Sequence, residues 1–186
     1  MKVISGKLKG RVIEGYNIIG TRPTMDRVKE SIFSIIQDFV KDSLVLDLFS
    51  GSGALGLESL SRGAAKAIFC DNSFKAIDVI NKNIEKTRNA DKAIVIKKSY
   101  EKALEEIKSK NILLDIIFID PPYESNFYYK SLELIKELEL LNENGIIILE
   151  TDDKERILKN IDNEYFEIND VRKYGRVTLI FLNRKG

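Results

Sequence analysis

From residue 44 onward, short apolar runs alternate with longer stretches in which apolar positions return every three or four residues. The runs near 44–49, 66–70, 93–97, 114–119 and 146–150 predict strands, and the stretches near 54–62, 74–88, 100–110 and 126–141 predict helices, with a short one near 153–160. Strands that are apolar on both faces and separated by helices argue for a parallel sheet covered on both sides. Gly63 stands where a helix C-cap belongs, and Asn144-Gly145 is expected to turn the chain into the fifth strand. The end of the chain breaks the rhythm. Residues 165–168 and 177–182 are two strand-like runs with no helix between them, and Lys173-Tyr174-Gly175-Arg176 links them as a turn. A terminal antiparallel hairpin on a mostly parallel sheet is expected. Upstream, residues 1–20 hold glycines between short stretches such as Lys2-Val3-Ile4 and Arg11-Val12-Ile13, and they read as a small hairpin extension. A loop at Thr21-Arg22-Pro23-Thr24 precedes a helix from about Asp26 to Phe39. Val28, Ile32, Ile35, Ile36 and Phe39 are expected to share one face of it. Residues 1–186 are expected to form a single α/β domain of the Rossmann-like kind.

The loop after the first strand reads Asp47-Leu48-Phe49-Ser50-Gly51-Ser52-Gly53-Ala54-Leu55-Gly56. In Gly51-x-Gly53-x-x-Gly56 the first glycines permit a tight turn and close approach to a ligand, and the last permits a helix to pack on its strand. Asp71 ends the second strand twenty residues after Gly51, where an acid can accept hydrogen bonds from both ribose hydroxyls. The spacing suits a nucleoside cofactor of either of two kinds, nicotinamide or S-adenosylmethionine. Asp47 favours the second, because a carboxylate at that strand end can face the ammonium of an amino-acid tail. Asn72 is a candidate to frame ribose and adenine. Ser99 and Tyr100, after the third strand, are candidates to line the adenine pocket, with helix capping an equal alternative for Ser99.

About seventy residues downstream of this loop, the fourth strand ends in Asp120-Pro121-Pro122-Tyr123. An exocyclic base amine is a poor nucleophile because its lone pair is delocalised into the ring. Accepting hydrogen bonds from both of its N–H groups localises that pair. Asp120 offers a carboxylate oxygen and Pro121 a carbonyl held stiffly outside regular structure by consecutive prolines. The nitrogen is then set to attack the sulfonium methyl in line, so that positioning and polarisation carry the chemistry. Tyr123 offers a flat face for an extruded base. This loop has no role in hydride transfer, which again favours S-adenosylmethionine, and Asp120 also counts among the cofactor contacts.

Composition narrows the classes further. Apolar residues make up 44% and charged residues 32%, as in globular chains, and no stretch approaches a membrane span. The N-terminus has no signal-like apolar segment, so a cytoplasmic protein is expected. Histidine is absent, which excludes imidazole catalysis and the usual zinc sets, and no metal is expected. The one cysteine, Cys70, closes an apolar run and is expected to be buried. Net charge is only +1, but residues 1–29 and 170–186 are basic and the middle is acidic. Basic ends suggest a polyanion as partner, with an ordinary lysine-rich surface as the alternative.

The chain resembles the RsmD-type 16S ribosomal RNA guanine-N2 methyltransferases over essentially its whole length. The resemblance rests on the opening Val3-Ile4-Ser5-Gly6-Lys7-Leu8-Lys9-Gly10-Arg11, on Arg22-Pro23-Thr24 through Phe33, on Leu46 through Gly53, on Asp120-Pro121-Pro122-Tyr123 and on Lys173-Tyr174-Gly175. The segment from Arg22 to Phe33 is its family-specific part; the other motifs are shared by many amino-methyltransferases. The resemblance implies a seven-stranded class I methyltransferase fold and S-adenosylmethionine as methyl donor. It also implies 16S rRNA, within a small ribosomal subunit or its assembly intermediate, as substrate. Lys7, Lys9 and Arg11 are then the leading RNA contacts. Arg22 and Arg27 are candidates for phosphate or cofactor, and Arg172, Lys173 and Arg176 are weaker RNA candidates. A monomer is expected. Two other functions remain open on the residues alone: adenine-N6 methylation of DNA or RNA, and a non-catalytic RNA-binding assembly factor.

Overall fold

The computed structural model describes residues 1–16, 26–122 and 126–186. Seven strands form one sheet: β1 (Leu44–Asp47), β2 (Lys66–Asp71), β3 (Ala93–Lys97), β4 (Leu114–Ile119), β5 (Leu141–Thr151), β6 (Phe166–Tyr174) and β7 (Val177–Arg184). Their order is β3-β2-β1-β4-β5-β7-β6. Strands β1 to β5 pair in parallel, while β7 runs antiparallel to both β5 and β6. This is the mostly parallel sheet with a terminal hairpin that the pattern predicts.

Alternation along the strands divides the core in two. On β4, Ile116 and Phe118 point to one face and Ile117 and Ile119 to the other; on β5, Ile146 and Ile148 oppose Ile147 and Leu149 in the same way. One face is covered by α1 (Asp26–Ile35), α3 (Ala54–Ser61) and α4 (Phe74–Thr87). The other is covered by α5 (Tyr100–Ser109), α6 (Phe127–Glu137) and α7 (Lys154–Asn160). Each of these fully buried side chains contributes about 1.5–3 kcal/mol by leaving water. A one-residue slip of a strand would exchange its two faces, so register is strongly fixed.

Three local expectations need correction. The helix expected from Asp26 to Phe39 is interrupted at Ile36, and α2 (Gln37–Val40) restarts it in a new phase. Val28, Ile32 and Ile36 are buried as expected, but Phe39 is 41% exposed, and Phe33 and Val40 take up core positions instead. Strand β5 begins at Leu141, before the expected turn. Asn144-Gly145 lies in a bulge, where the partner of Leu114 is Leu141 but the partner of Ile116 is already Ile146. Strand β6 runs on to Tyr174, so the link to β7 narrows to Gly175-Arg176, with Gly175 at φ 62°.

The N-terminal segment is hairpin-like around a short 3-10 turn at Gly6–Leu8, with Lys2 bridged to Val12. Its far end, 17–20, lies outside the described residues, as does the loop Thr21–Thr24. What ties it down is buried polar chemistry. The Glu58 carboxylate in α3 accepts from the amides of Ile4 (2.8 Å) and Ser5 (3.0 Å) and from Arg62 Nε (2.8 Å). Lys29, fully buried, donates to the Lys2 carbonyl at 2.8 Å and lies 3.9 Å from Glu58. Burial lowers the Lys29 pKa, against the pull of Glu58 and Asp26. One of the basic residues counted at the N-terminus is therefore a core element rather than part of a charged surface.

Candidate active site

Chain order leaves β1 toward β2 and β3 and then crosses back to β4, so the carboxyl ends of β1 and β4 flank the point where the winding reverses. Crevices of open α/β sheets form there. The glycine loop and the Asp120 loop are the two segments that leave those ends.

Ser50 shapes the glycine loop. Its amide donates to the Cys70 carbonyl (2.9 Å), its hydroxyl donates to the Asp47 carbonyl (2.6 Å), and that hydroxyl accepts from the Cys70 amide (3.0 Å). Gly53 then turns the chain into α3 with φ 77°, a left-handed conformation that costs glycine little. A Cβ on Gly56 would stand 2.3 Å from Cε1 of Phe69, so only glycine lets α3 lie this close to β2. Of the three glycines, Gly51 faces the crevice, whereas Gly53 and Gly56 build the turn and the helix–strand contact behind it.

The crevice is a cavity of ≈360 Å³. Asp47, Phe49, Gly51, Asp71, Asn72, Ser99, Tyr100, Asp120, Pro121 and Pro122 line it, so most of the residues singled out in the sequence converge here. Gly53 and Gly56 do not line it, and Tyr123 lies outside the described residues. Asp71 accepts from the Gly51 amide (3.0 Å) and the Ser73 amide (2.9 Å), which fixes its carboxylate at the rim. Asp47 accepts from the Gly56 amide at 3.2 Å. Ser99 occupies the N-cap position of α5 without a capping bond from its side chain. Cys70 is buried, as expected, and burial pushes its thiol up to about 12.

Phe49, Tyr100 and Phe127 form a cluster on one wall. The Phe49 and Phe127 rings stack at 5.8 Å and 12°, and Tyr100 tilts against each, at 5.6 and 5.2 Å. Such a wall suits a flat heterocycle.

The charged lining is lopsided. Among the described residues, the side chains of Asp47, Asp71, Glu101 and Asp120 face the cavity against one cationic side chain, Lys98, which is bound to Glu106 at 2.8 Å. Burial raises the Asp47 carboxyl to about 7 against the Gly56 amide bond, and it raises Asp71 against the amide bonds it accepts. Asp120 is held well above the usual carboxylate range, first by burial and then by the charges of Glu150 and Asp47. A cationic ligand relieves this arrangement and an anionic one aggravates it. The diphosphate of a nicotinamide dinucleotide would aggravate it. A nucleoside with a sulfonium centre and an amino-acid tail fits: Asp71 can take the ribose hydroxyls, Asp47 the ammonium, and the aromatic wall the adenine.

The cationic candidates are dispersed. Lys7, Lys9 and Arg11 are exposed on the N-terminal segment, where Arg11 donates to the Lys86 carbonyl at 2.7 Å. Arg27 is exposed on α1. Because β7 runs against β5 and β6 against β7, the Gly175-Arg176 turn returns to the same end of the sheet as the cavity. Lys173 and Arg176 are exposed there, while Arg172 is engaged by Asp170 at 2.9 Å. Arg22 lies outside the described residues.

Met1, Tyr16, Lys98, Glu101 and Phe127 also line the cavity and belong to none of the motifs. Phe127 carries a weak sequence signal, an aromatic four residues beyond Tyr123 at a helix start. Lys98 and Glu101 flank Ser99-Tyr100 in the chain, and Met1 and Tyr16 arrive by tertiary packing.

Comparison with known proteins agrees with this architecture. A family profile described as "Conserved hypothetical protein 95" matches residues 1–183. YlbH of Bacillus subtilis, a candidate rRNA methyltransferase by name, is 41% identical over 152 residues, covering 82% of this chain and 83% of that protein. The ribosomal RNA small subunit methyltransferase D of Buchnera aphidicola is 36% identical, covering 84% of this chain and 80% of that protein. The solved structure of yhhF from Escherichia coli, a candidate methyltransferase, aligns with a TM-score of 0.84 at 26% identity, over 100% of this chain and 98% of its own. The chain has the class I methyltransferase fold and belongs to the conserved hypothetical protein 95 family, the RsmD-type group that its motifs resemble.

Proposed function

We propose that the chain is an S-adenosylmethionine-dependent methyltransferase of ribosomal RNA, and that its acceptor is the exocyclic N2 amine of a guanine in 16S rRNA. On this proposal residues 1–186 act as one domain and a cytoplasmic monomer on the small subunit or its assembly intermediate. The observation that carries the reading is the cavity itself, where the described side chains set four carboxylates and one engaged lysine around a nucleoside-sized space beside an aromatic wall. Family membership supplies the ribosomal substrate, since the Buchnera relative is named for the small subunit.

S-adenosylmethionine, when bound, supplies an electrophilic methyl on sulfur. The rest falls to this chain's side chains and backbone. Asp71 and Asp47 fix the two polar ends of the ligand. Asp120 and the Pro121 carbonyl accept from the two N–H groups of the target amine and localise its lone pair. A neutral Asp120 accepts poorly, so the same positive charge that draws its proton off prepares it to hold the amine. The ring pair of Pro121 and Pro122 keeps the acceptors in place without an amide of their own. The exposed Lys7, Lys9 and Arg11, together with Lys173 and Arg176, meet the RNA backbone.

The test is a methyl-transfer assay with labelled S-adenosylmethionine. The acceptors are small subunits lacking the native modification, free 16S RNA and duplex DNA, and the product nucleoside is identified by mass spectrometry. N2-methylguanosine in the ribosomal acceptor is expected. N6-methyladenine would keep the loop chemistry and overturn the base assignment; transfer to none of the three would overturn the reaction.

A further inference from the structure

The N-terminal segment reaches the cavity at both of its described ends: Met1 and Tyr16 line it. Tyr16 makes two contacts that join the segment to the two sides of the cofactor loop. Its hydroxyl donates to Ser73 Oγ at 2.7 Å. Its ring covers Gly51, so that a Cβ there would stand 3.4 Å from Tyr16 Cδ1, at ordinary van der Waals distance. Ser73 in turn gives its amide to Asp71 (2.9 Å), and Gly51 gives its own to the other oxygen of the same carboxylate (3.0 Å). The phenol therefore closes a ring of contacts running Tyr16, Ser73, Asp71, Gly51 and back to Tyr16.

The segment is delivered to this position by a second bridge. The amide side chain of Asn83, fully buried in α4, pairs with both backbone groups of Glu14, accepting from its N–H (2.8 Å) and donating to its carbonyl (3.0 Å). The same Nδ2 donates to the Ser52 carbonyl of the glycine loop at 2.9 Å. Two residues before Tyr16, the backbone is thus fixed to the loop that Tyr16 covers.

Resting on the proposed cofactor, we propose that Tyr16 is a cofactor-binding residue: its ring is the wall of the cavity over Gly51, and its hydroxyl holds the Ser73–Asp71 pair that takes the ribose. Asn83 is the positioning residue behind it. The N-terminal segment then completes the cofactor pocket as well as carrying the cationic residues Lys7, Lys9 and Arg11.

The experiment titrates S-adenosylhomocysteine calorimetrically into the wild-type chain and the variants Tyr16→Phe, Tyr16→Ala and Ser61→Ala, with a thermal melt of each. Ser61 holds the same segment at its middle, accepting from the Leu8 amide (2.9 Å) and donating to the Ser5 carbonyl (2.5 Å), outside the cavity. Losing the hydroxyl should weaken binding about threefold, and losing the ring as well should weaken it about tenfold or more. Ser61→Ala should lower the melting temperature and leave affinity within about twofold. Wild-type affinity in both folded Tyr16 variants overturns the assignment. So does an equal loss in Ser61→Ala, which would mean that loosening the segment anywhere has the same effect. Wild-type chain that takes up no S-adenosylhomocysteine overturns the functional reading along with it.

Discussion

Two loops leave adjacent parallel strands at the same end of the sheet, and their described residues are constrained by opposite means. The loop after β1 is a mesh of hydrogen bonds: Ser50, Gly51, Gly53 and Gly56 all commit their amides, to Cys70, Asp71, Ser50 and Asp47 in turn. The loop after β4 opens with Asp120 and two prolines, which have no amide to commit. Hydrogen bonding shapes a loop around a ligand whose outline is constant. On the proposed function, proline rings hold the Asp120 and Pro121 acceptors in place for an amine. The division predicts that damage to the first loop appears in affinity and stability, and damage to the second in turnover.

The largest effect expected is in the proline loop. Asp120→Ala should cut the rate of methyl transfer by about 10²–10³-fold, the usual loss of a positioned charge-stabilising group. Its affinity for S-adenosylhomocysteine should stay within a few fold of wild type. Turnover and binding are measured on the same preparation, and a variant that loses both equally erases the distinction between the loops.

In the glycine loop the strongest single change is Gly56→Ala. Its Cβ would overlap Phe69 at 2.3 Å, and forcing α3 and β2 apart should cost about 1–3 kcal/mol in urea unfolding. A variant as stable as wild type would mean that this contact yields freely. Asp71→Ala should follow, with affinity down about 10–100-fold from the lost charged hydrogen bonds and a smaller loss of stability from the stranded Gly51 and Ser73 amides.

The same contrast decides what was legible in the sequence. Local rules were enough for β1 to β4, because strands buried on both faces are continuous apolar runs and their alternation follows from geometry alone. They were enough for both loops too, since Gly53 needs its left-handed φ and Pro121-Pro122 carry their stiffness covalently. The break at Ile36 was not legible: Ile32 and Ile36 keep helical spacing across it, and only the burial of Val40 in place of Phe39 reveals the change of phase. Nor was the docking of residues 1–16. Its anchors are Glu58, Lys29 and Asn83, polar side chains that a local pattern assigns to solvent. They are buried because they meet backbone groups 27 to 69 positions away. Tyr16 and Met1 reach the cavity only through those contacts, so no motif pointed to them.

The smallest effect separates the two loops by pH. The Asp47 carboxyl is raised to about 7 by burial at the root of the glycine loop. A folded pKa above the unfolded one means that the folded chain holds a proton the unfolded chain has released. Stability from this group is therefore present below the unfolded pKa of 3.8 and is lost as pH rises through about 7. On the proposed function, cofactor affinity has the opposite sign, because the ammonium would pair with the ionised form. For one group titrating near 7, affinity for S-adenosylhomocysteine should rise about tenfold from pH 6 to pH 8 while the ligand-free melting temperature falls. Asp71 and Asp120 are raised as well and add slope in the same direction, so the difference between wild type and Asp47→Asn isolates the contribution of Asp47. That variant should flatten both profiles together. If it flattens the melting profile and leaves the affinity profile unchanged, the ligand's charge is felt by Asp71 or Asp120 instead, and Asp47 is not the partner of the ammonium.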